Sequence, residues 1–281
     1  MQTVEQELKE VGHKAGAAVV GIVAANAFDD LVPEGHRPRD LLPGCASVIV
    51  AGGVGPSAGQ WRSPDNETIE IVGYDLRENV AAHVIADYIE RVHGYYAIQA
   101  PSLSLEGWNP PMSMMLPAEL AGLGNRSLAA QIILNPEYGL LYYAALLTTM
   151  PLTPDAPLDA EEYACPSKGC AQMFRKTGTT PCLRACPDCL DGEIDANGRI
   201  VWSSYNREVC STRAQNYSPQ AFQKMLLQII EEEDPMRRKM MIYSEFFTRA
   251  ISAVGFYKES IGQCFECMRV CPVGRVQRMK K

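Results

Sequence analysis

The stretch Cys264-Phe-Glu-Cys267-Met-Arg-Val-Cys271-Pro272 places three cysteines at short spacings and ends in Cys-Pro. A second Cys-Pro stands upstream, in Cys182-Leu-Arg-Ala-Cys186-Pro187. The chain has ten cysteines, and Cys45 alone precedes residue 165. The other nine are Cys165, Cys170, Cys182, Cys186, Cys189, Cys210, Cys264, Cys267 and Cys271. The chain therefore has a cysteine-poor front and a cysteine-rich back.

The length and composition are those of a folded protein with one large or two modest domains. The chain has 281 residues, of which 47% are hydrophobic, and a typical domain has roughly 150 residues. The 26 basic and 33 acidic side chains give a net charge of -7. This balance argues against a general nucleic-acid-binding surface and against a basic membrane-surface protein.

The beginning of the sequence, MQTVEQELKEVGHKAGAAVVGIV, does not resemble an export signal. Acidic residues precede its short apolar run, and no basic segment stands before that run. No apolar stretch in the chain reaches the roughly 20 residues that a membrane-spanning helix needs. We therefore expect a cytoplasmic location.

Cytoplasmic thiols are kept reduced, so this many cysteines indicate metal ligation rather than disulfide bonds. The run C-x2-C-x3-C-P is the ligand pattern of bacterial two-cluster ferredoxins, in which the cysteine before proline binds the neighbouring cluster. Two such Cys-Pro signatures predict two interlocked [4Fe–4S] clusters.

The same rule assigns the ligands. One cluster receives Cys186, Cys210, Cys264 and Cys267. The other receives Cys182, Cys271 and two of Cys165, Cys170 and Cys189, of which we favour Cys165 and Cys170.

A structural zinc site is the alternative, because zinc also binds four thiolates. Such sites usually present two C-x2-C pairs, whereas this chain has two Cys-Pro signatures and enough thiols for two cubes. Cys45 and the cysteine left over from the second cluster are then ordinary thiols.

Hydrophobic periodicity predicts an α/β arrangement in the front part of the chain. The predicted helices cover residues 4–15, 75–92 and 117–121. The predicted strands cover residues 17–23, 47–54, 95–100, 128–134 and 140–148. Together they suggest a mixed sheet with helices.

Pro151 to Pro157 contains three prolines and predicts a linker. The expected domains are therefore residues 1–152 and residues 153–281. Ser218-Pro219 and Asp234-Pro235 each predict a helix start, the second helix running to about Gly255. These helices form a predicted insertion at about 218–255 between Cys210 and Cys264.

The whole chain resembles the epoxyqueuosine reductase and reductive dehalogenase superfamily, whose members join a nitroreductase-like corrinoid-binding domain to a two-cluster ferredoxin domain. The segments that carry the resemblance are Ala18 to Ile22, Pro38 to Val50, Ala121 to Gly124, Ile133 to Gly139 and Leu147 to Leu152, together with the cysteines. The resemblance implies an α+β fold, with a nitroreductase-like mixed sheet followed by a two-[4Fe–4S] ferredoxin-like domain.

The resemblance also implies a chemistry. The clusters would pass single electrons from a donor such as ferredoxin or flavodoxin to a corrinoid (cobalamin), which reduces a small organic substrate. Candidate walls of the corrinoid site are Gly122, Gly124, Pro136, Tyr138 and Gly139. The alternative is that these residues only form turns.

The chain departs from the epoxyqueuosine reductases where those enzymes have a catalytic aspartate. After the strand predicted at residues 95–100 there is no acid before Glu106, so we do not expect epoxide reduction on tRNA. Candidate proton donors are Tyr96, Glu106, Tyr138 and Tyr142, for each of which ordinary packing is the alternative.

A second class of function has no substrate chemistry. The chain would then be an electron-transfer protein, or a reductive activator of a separate corrinoid protein. The front part favours the enzyme, because an electron carrier needs only the cysteine-rich part. A flavin-dependent nitroreductase is a third possibility, supported by fold analogy alone.

Overall fold

The computed structural model describes residues 2–54, 77–100, 111–206, 219–245 and 266–273, together with residues 209, 247, 248 and 251. The first helix, α1 (Val4–Lys14), begins at Thr3, whose side chain accepts a hydrogen bond from the Gln6 N–H while the Gln6 side chain accepts one from the Thr3 N–H. This reciprocal cap satisfies two backbone donors at the helix start.

The front of the chain forms one six-stranded sheet. Its strands are β1 (Val19–Ala24), β2 (Ser47–Val54), β3 (Ala97–Gln99), β4 (Asn125–Arg126), β5 (Ile133–Asn135) and β6 (Gly139–Thr148). The order is β1-β2-β6-β5-β4, and β3 also pairs with β6.

Every described pairing in this sheet is antiparallel. The mixed sheet expected from the sequence is therefore wrong for the described residues, although the α+β class holds. The turn at residues 136–138 joins β5 to β6, and so short a connection can join only antiparallel strands.

Helices cover both faces of the sheet. On one face, α1 and α3 (Arg77–Tyr88) bury Leu8 and Ile85 against Ile22 and Leu146. The other helices of the front part are α2 (Pro38–Leu41), α4 (Met115–Leu120), the 3-10 helix Ala25–Phe28 and the π-helix Ile89–His93. Phe28 of the 3-10 helix and α4 pack against the opposite face.

The cysteine-rich part contains short helices and one hairpin. Its elements are the 3-10 helix Ala160–Glu162, α5 (Lys168–Thr177), α6 (Pro181–Ala185), the antiparallel pair β7 (Leu190–Ile194) and β8 (Ile200–Tyr205), α7 (Pro219–Glu231), α8 (Pro235–Ile242) and α9 (Glu266–Arg269). Leu128, Leu134 and Leu140 of the front part pack into the same apolar cluster as the cysteines. None of the described helices is both long and apolar enough to cross a bilayer.

Two predicted elements are wrong. The strand expected over residues 128–134 is interrupted by a turn, where Ala130 and Gln131 have φ values of 53° and 57°. The helix expected to run from Pro235 to Gly255 ends at Ile242, and Ser244 then accepts a hydrogen bond from the Phe247 N–H as the cap of a new turn. In both places a local turn interrupts the predicted element.

Candidate functional site

Four cysteines from distant parts of the sequence converge on one cavity. Its lining residues are Cys165, Cys170, Cys182, Cys271, Leu128, Ala129, Ser167, Thr180, Pro181, Pro272 and Val273. We call this space the four-cysteine cavity. Its thiols are the four that the sequence assigned to the second cluster, whereas Cys189 does not line it.

Asn125 in β4 holds Cys165 at the cavity. The Asn125 amide donates to the Cys165 carbonyl over 2.7 Å, and the Asn125 side-chain oxygen accepts from the N–H groups of Ala164 (2.9 Å) and Cys165 (3.2 Å). Asn125 is itself buried, so these backbone groups have little access to water as an alternative partner. The sheet thus fixes the position of Cys165.

Helix starts position the next two thiols. The Ser167 hydroxyl caps α5 by accepting from the Cys170 N–H over 3.2 Å. Thr180 caps α6, and its hydroxyl oxygen lies 3.2 Å from Sγ of Cys182. The positive end of a helix dipole favours the thiolate form that binds metal.

The electrostatics of the cavity are unfavourable for four bare thiolates. Burial raises the pKa of Cys165, and the neighbouring Cys271, Cys182 and Cys170 raise it further. Burial also raises the pKa of Cys182, although the Thr180 hydroxyl acts in the opposite direction. A cationic cluster core would relieve both the burial cost and the mutual repulsion of the thiolates.

The described residues contain no group of three or more His, Cys, Asp or Glu side chains arranged to hold a single metal ion. A zinc–sulfur bond of about 2.3 Å would bring tetrahedral thiolates within about 4 Å of one another. In a [4Fe–4S] cube each thiolate binds a different iron, so the sulfur atoms stand farther apart.

The ligands predicted for the other cluster are only partly described. Cys186 and Cys267 are buried, and the helices next to them, α6 and α9, pack against each other. Cys210 and Cys264 lie outside the described residues. Cys189 is buried in the turn after Pro187, where its carbonyl accepts from the Asn206 N–H over 2.8 Å.

Cys45 is remote from these thiols in the sequence and lies in the apolar core beneath the sheet. Its thiol donates to the Ser47 carbonyl over 3.4 Å, and burial raises its pKa. Cys45 therefore has the environment of an unreactive buried thiol.

The glycines predicted as corrinoid walls face the chain's own backbone. A Cβ at Gly122 would lie 2.4 Å from the Ala156 carbonyl oxygen, and a Cβ at Gly124 would lie 2.5 Å from the Leu134 carbonyl oxygen. Protein atoms therefore occupy the space where a side chain would stand at both residues. Close packing explains why glycine stands at these positions.

Replacing Gly122 by alanine should destabilise the fold by about 2–4 kcal/mol, because the new Cβ adds a clash with Ala156 to the strain of φ +68°. Gly94 is the matched control, with φ +71° and open space where a Cβ would stand. Gly94→Ala should cost only about 1–2 kcal/mol. Urea unfolding of the two variants measures the difference, and equal losses would show that Ala156 moves away without cost.

The second predicted wall is a tight turn supported by Asn135. Its side-chain oxygen accepts from the N–H groups of Glu137 and Tyr138, each over 2.9 Å, and its amide donates to the Leu123 carbonyl over 2.7 Å. The structure thus brings the turn at residues 136–139 next to the loop at residues 122–124. Pro136 is exposed, Tyr138 is half-buried, and Gly139 has φ +72°.

The described candidate proton donors lie near opposite ends of β6. Tyr96 is 73% exposed and lies beside Thr149, at the end of β6 where β3 pairs. Tyr142 lies six residues from Thr148 along β6, which places it about 20 Å from the Tyr96 end at 3.3–3.4 Å per residue. Tyr138 is near the Tyr142 end, and burial raises its pKa. Glu106 lies outside the described residues.

No protein-family model matches the sequence, and no curated protein matches it. Solved structures do match. An epoxyqueuosine reductase from Streptococcus thermophilus has a TM-score of 0.55 at 15% identity, covering 97% of this chain and 66% of that chain. A reductive dehalogenase described in terms of B12-dependent dehalogenation has a TM-score of 0.52 at 19% identity, covering 89% of this chain and 35% of that chain. The chain has the fold of epoxyqueuosine reductases and reductive dehalogenases.

This match confirms, at the level of the fold, the resemblance suggested by the sequence. The chain spans slightly less than two thirds of the epoxyqueuosine reductases and about a third of the dehalogenase. One matching epoxyqueuosine reductase, with a TM-score of 0.53 at 17% identity, was solved with a modified tRNA stem-loop. The net charge was therefore too weak a reason to exclude nucleic acid, because an acidic total does not describe the local surface of a fold.

Two buried ionisable side chains, Tyr143 and Glu78, were not among the candidates predicted from the sequence. Tyr143 faces the core on the α4 side, and burial raises its pKa; its hydroxyl has no hydrogen-bond partner within the described part of the chain. Glu78 is 3% exposed at the start of α3. The helical spacing could have predicted the burial of Glu78, because Ala82 and Ile85, four and seven residues later, lie on the same helix face and are buried.

Proposed function

We propose that this protein is an iron–sulfur reductase that binds two [4Fe–4S] clusters. The observation that carries the proposal is the convergence of Cys165, Cys170, Cys182 and Cys271 on one cavity. Thiolates are the ligands of such clusters. Clusters of this type transfer single electrons, which fits a reductase better than a hydrolytic enzyme.

The proposed clusters interlock. The cluster in the four-cysteine cavity takes Cys182 and Cys271, while the other cluster takes Cys186 and Cys267 together with Cys210 and Cys264. Each short motif thus contributes thiols to both clusters: the upstream motif gives one to each, and the downstream motif gives Cys271 to the cavity cluster and Cys264 and Cys267 to the other. The packing of α6 against α9 supports this arrangement, because it brings the two motifs side by side.

The proposed electron acceptor is a corrinoid, and the proposed final acceptor is a small organic substrate. A corrinoid supplies a cobalt centre that accepts single electrons and reduces organic molecules. Residues 1–152 would bind the acceptor, and residues 153–281 would hold the clusters. A low-potential donor such as ferredoxin or flavodoxin would supply the electrons, in the cytoplasm, where the thiols stay reduced.

An electron-transfer protein or reductive activator of a corrinoid protein is the second candidate. The close backbone packing on the side-chain side of Gly122 and Gly124 is compatible with this candidate, because it gives these glycines a packing role that needs no corrinoid. Residues 136–139 remain candidates for such a contact.

The deciding experiment is anaerobic purification after expression with cobalamin, followed by iron, sulfide and cobalt analysis. About eight irons per chain would support two [4Fe–4S] clusters. Stoichiometric cobalt together with this iron would support the corrinoid reductase. Full iron without cobalt would support the electron-transfer alternative, and two zinc ions without sulfide would refute both.

A further inference from the structure

The four-cysteine cavity is lined mainly by thiols and apolar side chains. Its apolar lining comes from Leu128, Ala129, Pro181, Pro272 and Val273. Two hydroxyl groups, those of Ser167 and Thr180, also line it. Thr180 is 0% exposed, whereas Ser167 is half-buried. Where water has so little access, a single hydrogen bond to a charged group has a large electrostatic effect.

The Thr180 hydroxyl contacts the sulfur of Cys182. Its oxygen lies 3.2 Å from Sγ, and either atom can donate while the thiol is protonated. The same oxygen accepts the Leu183 N–H over 3.5 Å as the cap of α6. A hydroxyl has one hydrogen to donate, and a thiolate has none. Once Cys182 is a thiolate ligand, Thr180 is therefore the donor and the sulfur is the acceptor.

The other hydroxyl of the cavity provides a comparison. Ser167 caps α5 as Thr180 caps α6, and its hydroxyl accepts the Cys170 N–H over 3.2 Å. Within the described part of the chain, the Ser167 hydroxyl makes this backbone contact and none with a thiol sulfur. Backbone N–H groups of Cys182 and Leu183 also face the Cys182 sulfur, and they remain in any side-chain variant. The two residues thus differ in the contact with sulfur but share the capping role.

A hydrogen bond to a ligand sulfur changes the reduction potential of an iron–sulfur cluster. Reduction adds one negative charge, part of which resides on the thiolate sulfurs. A donor aimed at such a sulfur stabilises the more negative, reduced state more than the oxidised state, so it raises the potential. Burial among apolar side chains acts in the opposite direction, because it disfavours the added charge. The Thr180 hydroxyl therefore opposes the effect of the apolar lining.

We propose that the Thr180 hydroxyl raises the reduction potential of the cluster in the four-cysteine cavity by donating a hydrogen bond to the Cys182 sulfur. This inference rests on the proposed function, because ligation of a cluster by Cys182 is part of it. Thr180 binds no iron and acts through Cys182, so it is a positioning residue. Its effect is to let a weaker electron donor reduce this cluster.

The test is an anaerobic potentiometric titration of the purified iron-loaded protein, followed by EPR of the reduced clusters. The signal of the cavity cluster is the one that is absent from Cys165→Ser. Thr180→Val has a similar size but no hydroxyl. At a given applied potential, it should lower the ratio of reduced to oxidised cavity cluster about tenfold, which is a shift of 59 mV to lower potential for one electron.

Two further variants separate the sulfur contact from the capping role. Thr180→Ser keeps a hydroxyl at this position and should keep the potential of the wild type. Ser167→Ala removes a helix cap from the same cavity without removing a contact with sulfur, so it should also keep that potential. An unchanged potential in Thr180→Val with full iron would overturn the inference, and so would an equal fall in Thr180→Ser or in Ser167→Ala.

If Thr180→Val does not retain the cavity cluster, Thr180→Ala serves as the second variant, because it removes the hydroxyl without placing a new methyl group in the cavity. It should show the same fall in potential, and loss of the cluster from both variants would overturn the inference. Iron and sulfide contents of the wild type test the proposed function separately. A wild type without clusters would refute that function, whereas full iron with an unchanged potential in Thr180→Val would refute only the role of Thr180.

Discussion

Cys165→Ser should lower the iron content from about eight to about four atoms per chain, with a parallel loss of sulfide. Cys165 lines the four-cysteine cavity with Cys170, Cys182 and Cys271, and serine is a much poorer ligand for iron in such a cluster. The remaining cluster should persist, because its four proposed ligands are different residues. Iron and sulfide assays with low-temperature EPR of the reduced protein measure the effect.

Cys189→Ser is the matched control. Cys189 is buried in the same apolar cluster but does not line the cavity. This variant should keep the full iron and sulfide content. If Cys189→Ser lost a cluster while Cys165→Ser kept both, the alternative assignment of Cys189 as a ligand would replace ours.

Asn125→Leu should both destabilise the protein, by about 3 kcal/mol or more, and impair the cluster in the four-cysteine cavity. Leucine has a similar size but cannot bond the N–H groups of Ala164 and Cys165 or the Cys165 carbonyl. Each buried backbone group left without a partner costs about 1–3 kcal/mol. Urea unfolding of the apoprotein gives the stability loss, and iron analysis after anaerobic reconstitution gives the cluster loss.

Asn135→Leu separates these two effects. Asn135 is also a buried asparagine with three hydrogen bonds to backbone groups, but those groups belong to Leu123, Glu137 and Tyr138. It should lose comparable stability and yet reconstitute with full iron. Equal iron loss in the two variants would show that cluster content follows general stability rather than the position of Cys165.

The sequence predicted much of the local structure correctly, because that structure follows from neighbouring residues. The strand predicted at residues 47–54 has the same bounds in the structure, and the helix predicted at residues 4–15 spans Val4–Lys14. Both have uninterrupted patterns and clear ends. The Cys-Pro signatures, read from local spacing alone, also singled out Cys182 and Cys271, which the structure brings to one cavity.

Contacts between distant residues limited the prediction elsewhere. The apolar run at residues 128–134 suggested one strand, but Leu128 and Ala129 turn away to line the four-cysteine cavity. Tyr96 and Tyr142 both qualified as proton donors by residue type, and only the register of β6 showed that they lie at opposite ends of a strand. The residue type thus gives the chemistry of a side chain, but not its position in the fold.

The sequence by itself determined the α+β fold class and the list of candidate thiols for the proposed clusters. Only the tertiary structure decided that Cys165 and Cys170 rather than Cys189 share a cavity with Cys182 and Cys271, that Asn125 holds Cys165, and that Glu78 lies over Gly53. The physical reason is that spacing and periodicity act between neighbours in the chain, whereas these arrangements depend on sheet register and packing between residues far apart in sequence.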